Sequence, residues 1–450
     1  MRKKIVLLFS LCFLCTLPAS GYAAEKLPHV SPEMTQADYW VGQLSEPDRV
    51  LLSFRQIESL NKKFLRAEPT AVDPLTLEAG VSASFLLIVL EREESALRKK
   101  ELFDSRGRKI GKPFWEDLRA SCALQRLPDL LPVRFGLIVE ECSLRTFPTT
   151  EPVVEKRGDL AFDLLQQTTL HPGTPVALLW ESADGKWVYL VSKLLRGWAK
   201  KESIALFENR EGLLRHLSFP KIVVTERKAP VFESRDEEPV SHWEMGAVLH
   251  TDLLLKEGDF FLIHRPQRRP DGKVLFAHAF LRRSDVQADF LPLTPRQILT
   301  QAFKLYGAPY GWGGLKGGWD CSSFLKDLFA TMGVELPRNS GPQSRVGKIL
   351  VHFSSNKGRE RKKQEMLNQA LPAVTFVKLD NHIMLYLGKQ ENRHYLLHAT
   401  AGYGVKGLLL ERRVRAFRVL VSDMEQGRGS KRGSLLQRMV SLNLPFDTSY

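Results

Sequence analysis

The sequence predicts a multidomain α+β protein with a helical N-terminal zone, two small β barrels and a C-terminal α+β unit. First, its 450 residues, 43% hydrophobic and 26% charged, suffice for several folded domains. Second, the hydrophobic period changes near Pro132 from helical spacing to short strand-like runs. Third, helical spacing returns at Thr294 and is followed by more strands. The chain is therefore expected to be globular and to divide at these two positions.

Residues 1–24 have the pattern of a secretory signal peptide. Met1–Lys4 is basic, Ile5–Leu17 is apolar, and Gly21–Ala24 supplies the small residues of a cleavage site. The apolar run is shorter than the roughly 18 to 20 residues of a membrane span. Bulky side chains before Cys15 argue against a lipoprotein site without excluding one. We expect an exported protein of the periplasm or cell envelope, or a secreted one, with no membrane span after signal removal.

Residues 25–130 have mostly helical spacing and show no pattern that indicates chemistry. Two β-rich units follow, at 131–210 and 218–290, in which short apolar runs are bounded by Pro, Gly or Asp-Gly. The turn Ala183–Trp187 joins two such runs in the first unit. Each unit has the length and strand density of a small β barrel.

Residues 294–422 have the order helix, loop, helix and strands, and residues 423–450, rich in Gly, Arg and Ser, are predicted to form a basic tail. The net charge is +14, and its basic residues are scattered along the chain. Scattered positive charge suits binding to an anionic surface such as a cell-wall polymer better than binding to nucleic acid. We therefore expect no nucleic-acid partner.

Signal removal leaves three cysteines, Cys122, Cys142 and Cys321. An odd number in an exported chain leaves at least one thiol unpaired. Cys122 and Cys142 could form a disulfide, but the sequence does not show whether their Cα atoms are close enough. Cys321 is the thiol that needs another explanation.

Cys321 opens a predicted amphipathic helix that ends at Gly333. Unpaired backbone N–H groups and the helix dipole favour a thiolate in the first turn of a helix. The adjacent Asp320 opposes that ionisation, but we expect a protonated His382 and the helix terminus to outweigh it. The glycines before Cys321 allow a loop to approach the thiol closely.

Two histidines, His382 and His398, lie in the strands of a predicted hairpin. If the turn is centred on Gln390, the two face each other with Cβ atoms roughly 5 Å apart. One could take the proton of Cys321 while the other orients it, as in a catalytic triad. Separately, each of these residues would be an ordinary core residue. Since Asp380 is the one acid near the histidines, we expect no metal and no cofactor.

Five segments resemble the NlpC/p60 family of papain-like cysteine peptidases, which cut bacterial peptidoglycan stem peptides: PYGWGG, DCSSF, LPRNSGPQS, NHIMLYLG and LLHAT. The resemblance covers roughly residues 294–420. The rest of the chain is similar to the subgroup with a helical N-terminal stabilising segment and two bacterial SH3-like barrels. The resemblance implies a papain-like α+β catalytic domain with Cys321 as nucleophile, His382 as general base and His398 as orienting residue.

The resemblance also implies roles around the substrate. Tyr310 matches the tyrosine that helps to bind the oxyanion. In relatives that recognise a free L-Ala amine, an acid and two serines hold it, and the matching positions here are Asp320, Ser322 and Ser340. The first barrel of such relatives narrows the active site. The aromatic residues that could form this wall, each also suited to a barrel core, are Trp187, Tyr189 and Trp198.

These observations predict an exported cysteine endopeptidase that acts on stem peptides or muropeptides. The resemblance points to the bond between γ-D-glutamate and the diamino acid in peptides with a free N-terminal L-Ala. Two alternatives remain open: a catalytically inactive wall-binding protein, and an acyltransferase on the same scaffold. The diamino acid, the oligomeric state and the physiological role stay undetermined.

Overall fold

The computed structural model describes residues 27–67, 71–354, 359–407 and 411–447, so the predicted signal peptide lies outside the described residues. No helix in these ranges is long and apolar enough to cross a membrane. The described chain is a multidomain α+β protein with ten α-helices, twenty-three strands and five short 3-10 helices.

The N-terminal segment has no core of its own. Its helices are α1 (Ala37–Val41), α2 (Phe54–Ala67), α3 (Ala83–Arg98) and α4 (Lys112–Ser121), and its strand β1 (Gly80–Ser82) pairs with β2 (Leu130–Pro132). Trp40 and Phe64 pack into the core of the C-terminal domain. Leu86 and Trp115 instead pack into the first barrel. The segment therefore fastens two domains together.

The first barrel is one sheet of seven strands in the order β5-β4-β8-β7-β6-β3-β9. The strands are β3 (Arg134–Ile138), β4 (Cys142–Arg145), β5 (Gln166–Leu170), β6 (Pro175–Glu181), β7 (Trp187–Val191), β8 (Arg196–Lys200) and β9 (Ile204–Leu206). The predicted turn between β6 and β7 is present, and Gly185 has the positive φ of 68° that its place in the turn requires. Cys122 and Cys142 are free, buried thiols in different cores.

The second barrel follows helix α5 (Arg210–Leu217) and has two sheets, ordered β13-β10-β17 and β12-β11-β16-β15-β14. Its strands are β10 (Lys221–Val224), β11 (Lys228–Phe232), β12 (Ser241–Glu244), β13 (Val248–His250), β14 (Leu254–Glu257), β15 (Phe260–Arg268), β16 (Val274–Arg282) and β17 (Val286–Ala288). The order β12-β11-β16-β15-β14 repeats the first barrel's β5-β4-β8-β7-β6, so the two units share this part of their topology.

The C-terminal domain packs helices against a six-stranded sheet in the order β18-β23-β19-β20-β21-β22. The helices are α6 (Pro295–Lys304), α7 (Cys321–Ala330), α8 (Ser340–Gln343), α9 (Glu360–Asn368) and α10 (Leu435–Arg438). The strands are β18 (Lys348–His352), β19 (Phe376–Leu379), β20 (His382–Gln390), β21 (Arg393–Val405), β22 (Arg412–Asp423) and β23 (Ser441–Leu444). The buried face of α7, including Phe324 and Leu328, packs into the same core as Ile383 and Leu397 of the sheet, which places the helix start beside β20.

The prediction of a basic tail at 423–450 is wrong. Strand β23 lies between β18 and β19 in the sheet, and Leu442 and Phe446 are buried. The Gly- and Arg-rich stretch at 427–433 is a loop that precedes these apolar residues. Composition averaged over the segment hid a short strand, because a strand between two neighbours needs only a few apolar residues.

Candidate active site

Asp320 fixes the start of helix α7 and therefore the position of Cys321. Its Oδ1 accepts hydrogen bonds from the backbone N–H groups of Ser322 and Ser323, at 3.1 and 2.8 Å. The Ser323 hydroxyl accepts in return from the Asp320 N–H, which completes a capping box. Cys321 is the first residue of the helix, 9% exposed, and borders a cleft of about 830 Å³.

The two histidines are in direct contact. His382 Nε2 lies 2.7 Å from His398 Nδ1, and His398 Nε2 lies 2.9 Å from the hydroxyl of Ser422 in β22. His382 also lines the cleft with Cys321. With Nε2 engaged, the Nδ1 atom of His382 is the ring nitrogen that remains for the thiol.

The predicted pairing of these histidines is wrong by two residues. The observed register pairs Leu385 with Leu397, and its continuation places His398 opposite Met384. The turn lies beyond Gln390, which pairs with Arg393, and a bulge follows Tyr386. Because side chains alternate between faces, a shift of two keeps His382 and His398 on one face as diagonal neighbours, within reach of imidazole rings.

Ser422 was missed by the sequence analysis. The one sequence feature that pointed to it is its position as a polar residue directly after the apolar run Val419–Val421. Register places His398 opposite Leu420, so Ser422 lies two residues further along the same face. Recognising it required the pairing of the third strand, which the sequence did not reveal.

Burial disfavours the charged forms of both Cys321 and His382. It raises the pKa of the Cys321 thiol to about 11, with Asp320 adding to the rise and the Ile383 backbone opposing it. Burial also lowers the pKa of His382 to about 3, and the nearby Arg438 and Lys378 reinforce this. Both shifts oppose the expected thiolate–imidazolium pair and favour a thiol and a neutral imidazole.

Tyr310 lines the cleft and stays protonated. Burial, reinforced by Cys321 and Asp320, raises the pKa of its phenol above its usual value. Its backbone N–H donates to the Phe417 carbonyl at 2.8 Å, and its ring lies next to that of Phe417. A neutral, positioned phenol is able to donate a hydrogen bond into the cleft.

Asp320 is already occupied by protein donors. Arg338, which is 2% exposed, donates to both of its carboxylate oxygens at 3.2 and 2.6 Å, and the Gly313 N–H donates to Oδ2 at 3.0 Å. Although burial opposes ionisation, Arg338 holds the pKa of Asp320 below its usual value. Oδ1 alone accepts four hydrogen bonds, so the carboxylate is ill placed to hold a substrate amine as well.

The two predicted serines differ in their surroundings. The Ser322 hydroxyl donates to Asp320 Oδ1 at 3.1 Å and accepts from Arg338 at 3.0 Å, so it belongs to the same buried network. Ser340 begins α8, lines the cleft and is partly exposed. Of the two, Ser340 is the one open to a substrate.

The first barrel borders the cleft, but not through the aromatic residues expected. Tyr189 and Trp198 are 1% and 0% exposed and make an edge-to-face contact inside the barrel core, because they are opposed on inward-facing positions of β7 and β8. Neither lines the cleft. Trp187 borders a different depression. The wall is instead Phe162, from the connection between β4 and β5, whose ring lies 6.2 Å from that of Tyr310 and 5.7 Å from that of Trp312.

Strand β5 is pressed against the loop that precedes Cys321. Gln166 Nε2 and the Thr169 hydroxyl both donate to the Gly313 carbonyl, at 2.9 and 3.2 Å. A Cβ atom on Gly313 would lie 2.7 Å from the Gln166 side chain, and one on Gly314 would lie 2.2 Å from the Thr169 hydroxyl. The glycines therefore permit the close approach expected from the sequence, and what approaches is the first barrel.

Glu93 of helix α3 is a further cleft residue that sequence reasoning missed. It is partly buried, and burial raises the pKa of its carboxyl group. Arg196 of the first barrel also lines the cleft. The helical zone showed no chemical pattern because an acid on a helix is normally solvated, and only the docking of α3 against the barrel brings Glu93 to the cleft.

Comparisons with known proteins agree with this geometry. Residues 307–419 match the model of the NlpC/P60 family. This range includes Cys321, His382 and His398. The chain contains an NlpC/P60 domain. Residues 153–200 match the SH3 domain model of the SH3b1 type, within the first barrel.

Two curated relatives are γ-D-glutamyl-L-lysine dipeptidyl-peptidases. That of Bacillus subtilis (strain 168) is 27% identical over 210 residues, which are 43% of this chain and 62% of the relative. That of Bacillus cereus (strain ATCC 10987 / NRS 248) is 40% identical over 87 residues, 18% of this chain and 26% of the relative. The matched regions thus span less than two thirds of either relative.

A solved structure resembles nearly the whole chain. An NlpC/P60 endopeptidase from Photobacterium damselae subsp. piscicida superposes with a TM-score of 0.68 at 20% identity. The likeness covers 92% of this chain and 95% of the other. At this identity the comparison supports the shared fold, including the domains around the NlpC/P60 unit.

Proposed function

We propose that this protein is an exported cysteine endopeptidase that cuts peptidoglycan stem peptides between γ-D-glutamate and the diamino acid. The observation that carries the proposal is the thiol of Cys321 at a helix N-terminus, in one cleft with His382, which is hydrogen-bonded in turn to His398 and through it to Ser422. The bond and the substrate class are supported by the family match and by the activity that names the curated relatives.

The first step is attack of Cys321 on the carbonyl carbon of the γ-glutamyl bond. Because the free thiol and imidazole are neutral, His382 takes the thiol proton as the sulfur attacks. The Tyr310 hydroxyl and the Cys321 backbone N–H would stabilise the oxyanion. Protonated His382 then gives its proton to the leaving amine, and water hydrolyses the thioester.

His398 acts by orientation in this scheme. Burial and neighbouring His382 keep the pKa of His398 well below its usual value, so it stays neutral. If His382 Nε2 donates to His398 Nδ1, then His398 Nε2 donates to the Ser422 hydroxyl, and His382 Nδ1 is left as the acceptor for the thiol proton. With one tautomer for each ring, both hydrogen bonds of the His382–His398–Ser422 series have a donor and an acceptor.

The part of the cleft lined by Glu93 and Ser340 suits a substrate with a free amino end. An ammonium group that leaves water needs an acidic partner. Glu93 lines this cleft. Asp320, by contrast, is already hydrogen-bonded to Arg338 and to backbone donors. We assign amine binding to Glu93 with Ser340, and leave to Asp320 a structural role. Phe162 narrows the cleft beside Tyr310 and would favour short peptides over intact wall.

The test is mass spectrometry of L-Ala-γ-D-Glu-diaminopimelate and its lysine analogue after incubation with wild-type protein and with Cys321→Ala. We expect release of L-Ala-γ-D-Glu by the wild type alone, with the variant at least about a thousandfold slower. The relative rates on the two peptides identify the preferred diamino acid. Cleavage by Cys321→Ala, or release of an acylated amine in place of two peptides, would contradict the proposal.

A second arm tests the amine site. N-acetylation of the tripeptide should weaken cleavage by at least about tenfold, and Glu93→Gln should remove most of this discrimination while Asp320 remains in place. Equal cleavage of both peptides by the wild type would exclude a free-amine requirement without affecting the assignment of the nucleophile.

A further inference from the structure

A second cluster of chemically active side chains lies where three domains meet, behind the catalytic helix. Glu141 follows β3 and His171 follows β5, both in the first barrel. Glu244 ends β12 in the second barrel, and Asp327 lies in the middle of α7. The mechanism above uses none of these residues.

His171 is held with one ring nitrogen unused. The residue is 8% exposed, and its Nε2 lies 3.0 Å from Asp327 Oδ1. Lys326 also bonds to Asp327 Oδ1, and the Trp319 indole N–H donates to Oδ2 at 3.0 Å. When His171 is neutral and donates its Nε2–H to Asp327, the Nδ1 atom carries the lone pair.

The Nδ1 atom of His171 is buried without a hydrogen-bond partner and faces two carboxylates. Glu141 Oε2 lies 4.0 Å away, on a side chain that is 29% exposed. Glu244 is 5% exposed, and its buried Oε1 makes no hydrogen bond, although Lys228 Nζ lies 3.5 Å from it. One ligand atom from each of Glu141, His171 and Glu244 lies within 4.8 Å of the other two.

We propose that Glu141, His171 and Glu244 form a zinc site that joins the two barrels behind helix α7. A lone pair on neutral imidazole and two carboxylates are zinc ligands, and three protein ligands leave a fourth position for water. A histidine that binds zinc through one nitrogen typically donates its other N–H to a carboxylate, which is the bond from His171 to Asp327.

The distances permit this assignment with small movements. Ligands of a tetrahedral zinc ion with bonds of about 2.1 Å are separated by about 3.4 Å. The three ligand atoms therefore need to close by no more than about 1.4 Å, a distance within the range of small side-chain movements. Lys228 is 44% exposed and can turn into solvent when the cation takes its place beside Glu244. The nitrogen ligand favours zinc over calcium or magnesium.

Such an ion would bind the first barrel to the second and, through His171 and Asp327, hold α7. Asp327 is six residues along the helix from Cys321, so the same ion would support the position of the thiol. Zinc binding at this site does not require the proposed peptidase activity to be correct.

The test uses full-length protein carrying Cys321→Ala, which removes the catalytic thiol as a competing zinc ligand. After chelator treatment, zinc binding is measured by isothermal titration calorimetry and Tm by scanning calorimetry. We expect one zinc ion per chain and a rise in Tm of at least about 2 °C at a hundredfold excess over Kd.

Two matched variants and one control locate the ion. Glu244→Gln keeps the size of the side chain, and His171→Gln retains an N–H near Asp327 without the ligand nitrogen. Both should lose the zinc-dependent rise in Tm. His278→Ala, which disrupts a stacked histidine pair with His264 on the second barrel, should keep it. The proposal fails if zinc does not bind, if both glutamine variants still respond to zinc, or if only His278→Ala loses the response. The zinc response rather than the metal-free Tm is the readout, and either glutamine variant suffices if the other does not fold.

Discussion

The two barrels share part of their strand order but differ in whether they reach the cleft in front of Cys321. The first barrel reaches the cleft in front of Cys321 through Phe162 and strand β5. Among the described residues that line this cleft, none comes from the second barrel. The second barrel instead contacts the middle of α7, where a Cβ atom on Gly246 would lie 2.7 Å from the Asp327 carbonyl oxygen.

The difference lies in one connection. In the first barrel, residues 146–165 join β4 to β5 and carry Phe162, whereas the corresponding connection in the second barrel, between β11 and β12, is the much shorter 233–240. The shared strands form a platform, and the longer connection places Phe162 at the cleft.

The largest expected effect concerns the contact between the first barrel and the C-terminal domain at the cleft. Arg338→Met would leave Asp320 as an unpaired buried charge and remove the 2.6 Å bond from Arg338 Nε to Thr168 of β5. We expect the free energy of unfolding to fall by about 3–5 kcal/mol, measured by denaturant titration. The double variant with Asp320→Asn should recover at least about 1 kcal/mol, because the orphaned charge is gone. A double variant less stable than Arg338→Met would disprove this explanation.

A matched pair of glycine substitutions compares the contact of the first barrel beside the cleft with the contact of the second barrel at the middle of α7. Gly314→Ala and Gly246→Ala both place a side chain at a φ of 83° and into a neighbouring domain. Each should cost about 1–3 kcal/mol of stability. Gly314→Ala should also raise KM, because it displaces β5 from the cleft, while Gly246→Ala should leave KM within about twofold. Similar changes in KM for both would remove the functional distinction between the barrels.

The pH dependence of alkylation compares the catalytic thiol with a structural one. With its pKa raised to about 11, Cys321 is protonated near neutrality, so its reaction with iodoacetamide should accelerate about tenfold per pH unit between pH 7 and 9. In the first barrel, burial raises the pKa of Cys142 to about 12, and this thiol should remain unlabelled while the protein is folded. A pH-independent rate at Cys321 would instead indicate a preformed thiolate.

The smallest expected effect tests the wall itself. Phe162→Ala opens the cleft, so kcat/KM for the free tripeptide should fall about fivefold and the penalty for N-acetylation should shrink. Phe232→Ala removes a buried ring just before the short connection of the second barrel. This control should lower stability but leave the preference for a free amine unchanged.

Much of the architecture follows from local pattern. The spacing of Phe324, Leu325 and Leu328 predicts α7, and alternating runs with an Asp-Gly turn predict the barrel strands. The two histidines could be brought together because an error of two residues in register preserves the face. These features depend on neighbours in sequence, so sequence was sufficient.

What could not be predicted depends on contacts between distant segments. Tyr189 and Trp198 look like wall residues until their strand pairing turns them inward. Phe162 and Glu93 reach the cleft only through the docking of the first barrel and of α3. Arg338 neutralises Asp320 from 18 residues away, and this partner made the simple charge argument at the thiol incomplete.

The most direct test of the central claim is labelling of the wild-type protein with an L-Ala-γ-D-Glu chloromethyl ketone and its N-acetylated form, followed by peptide mass spectrometry. We predict a single addition, at Cys321, at least about tenfold faster for the free amine. Labelling of Cys122 or Cys142 in place of Cys321, or equal rates for both reagents, would contradict a thiol nucleophile in a cleft that the first barrel fits to free-ended peptides.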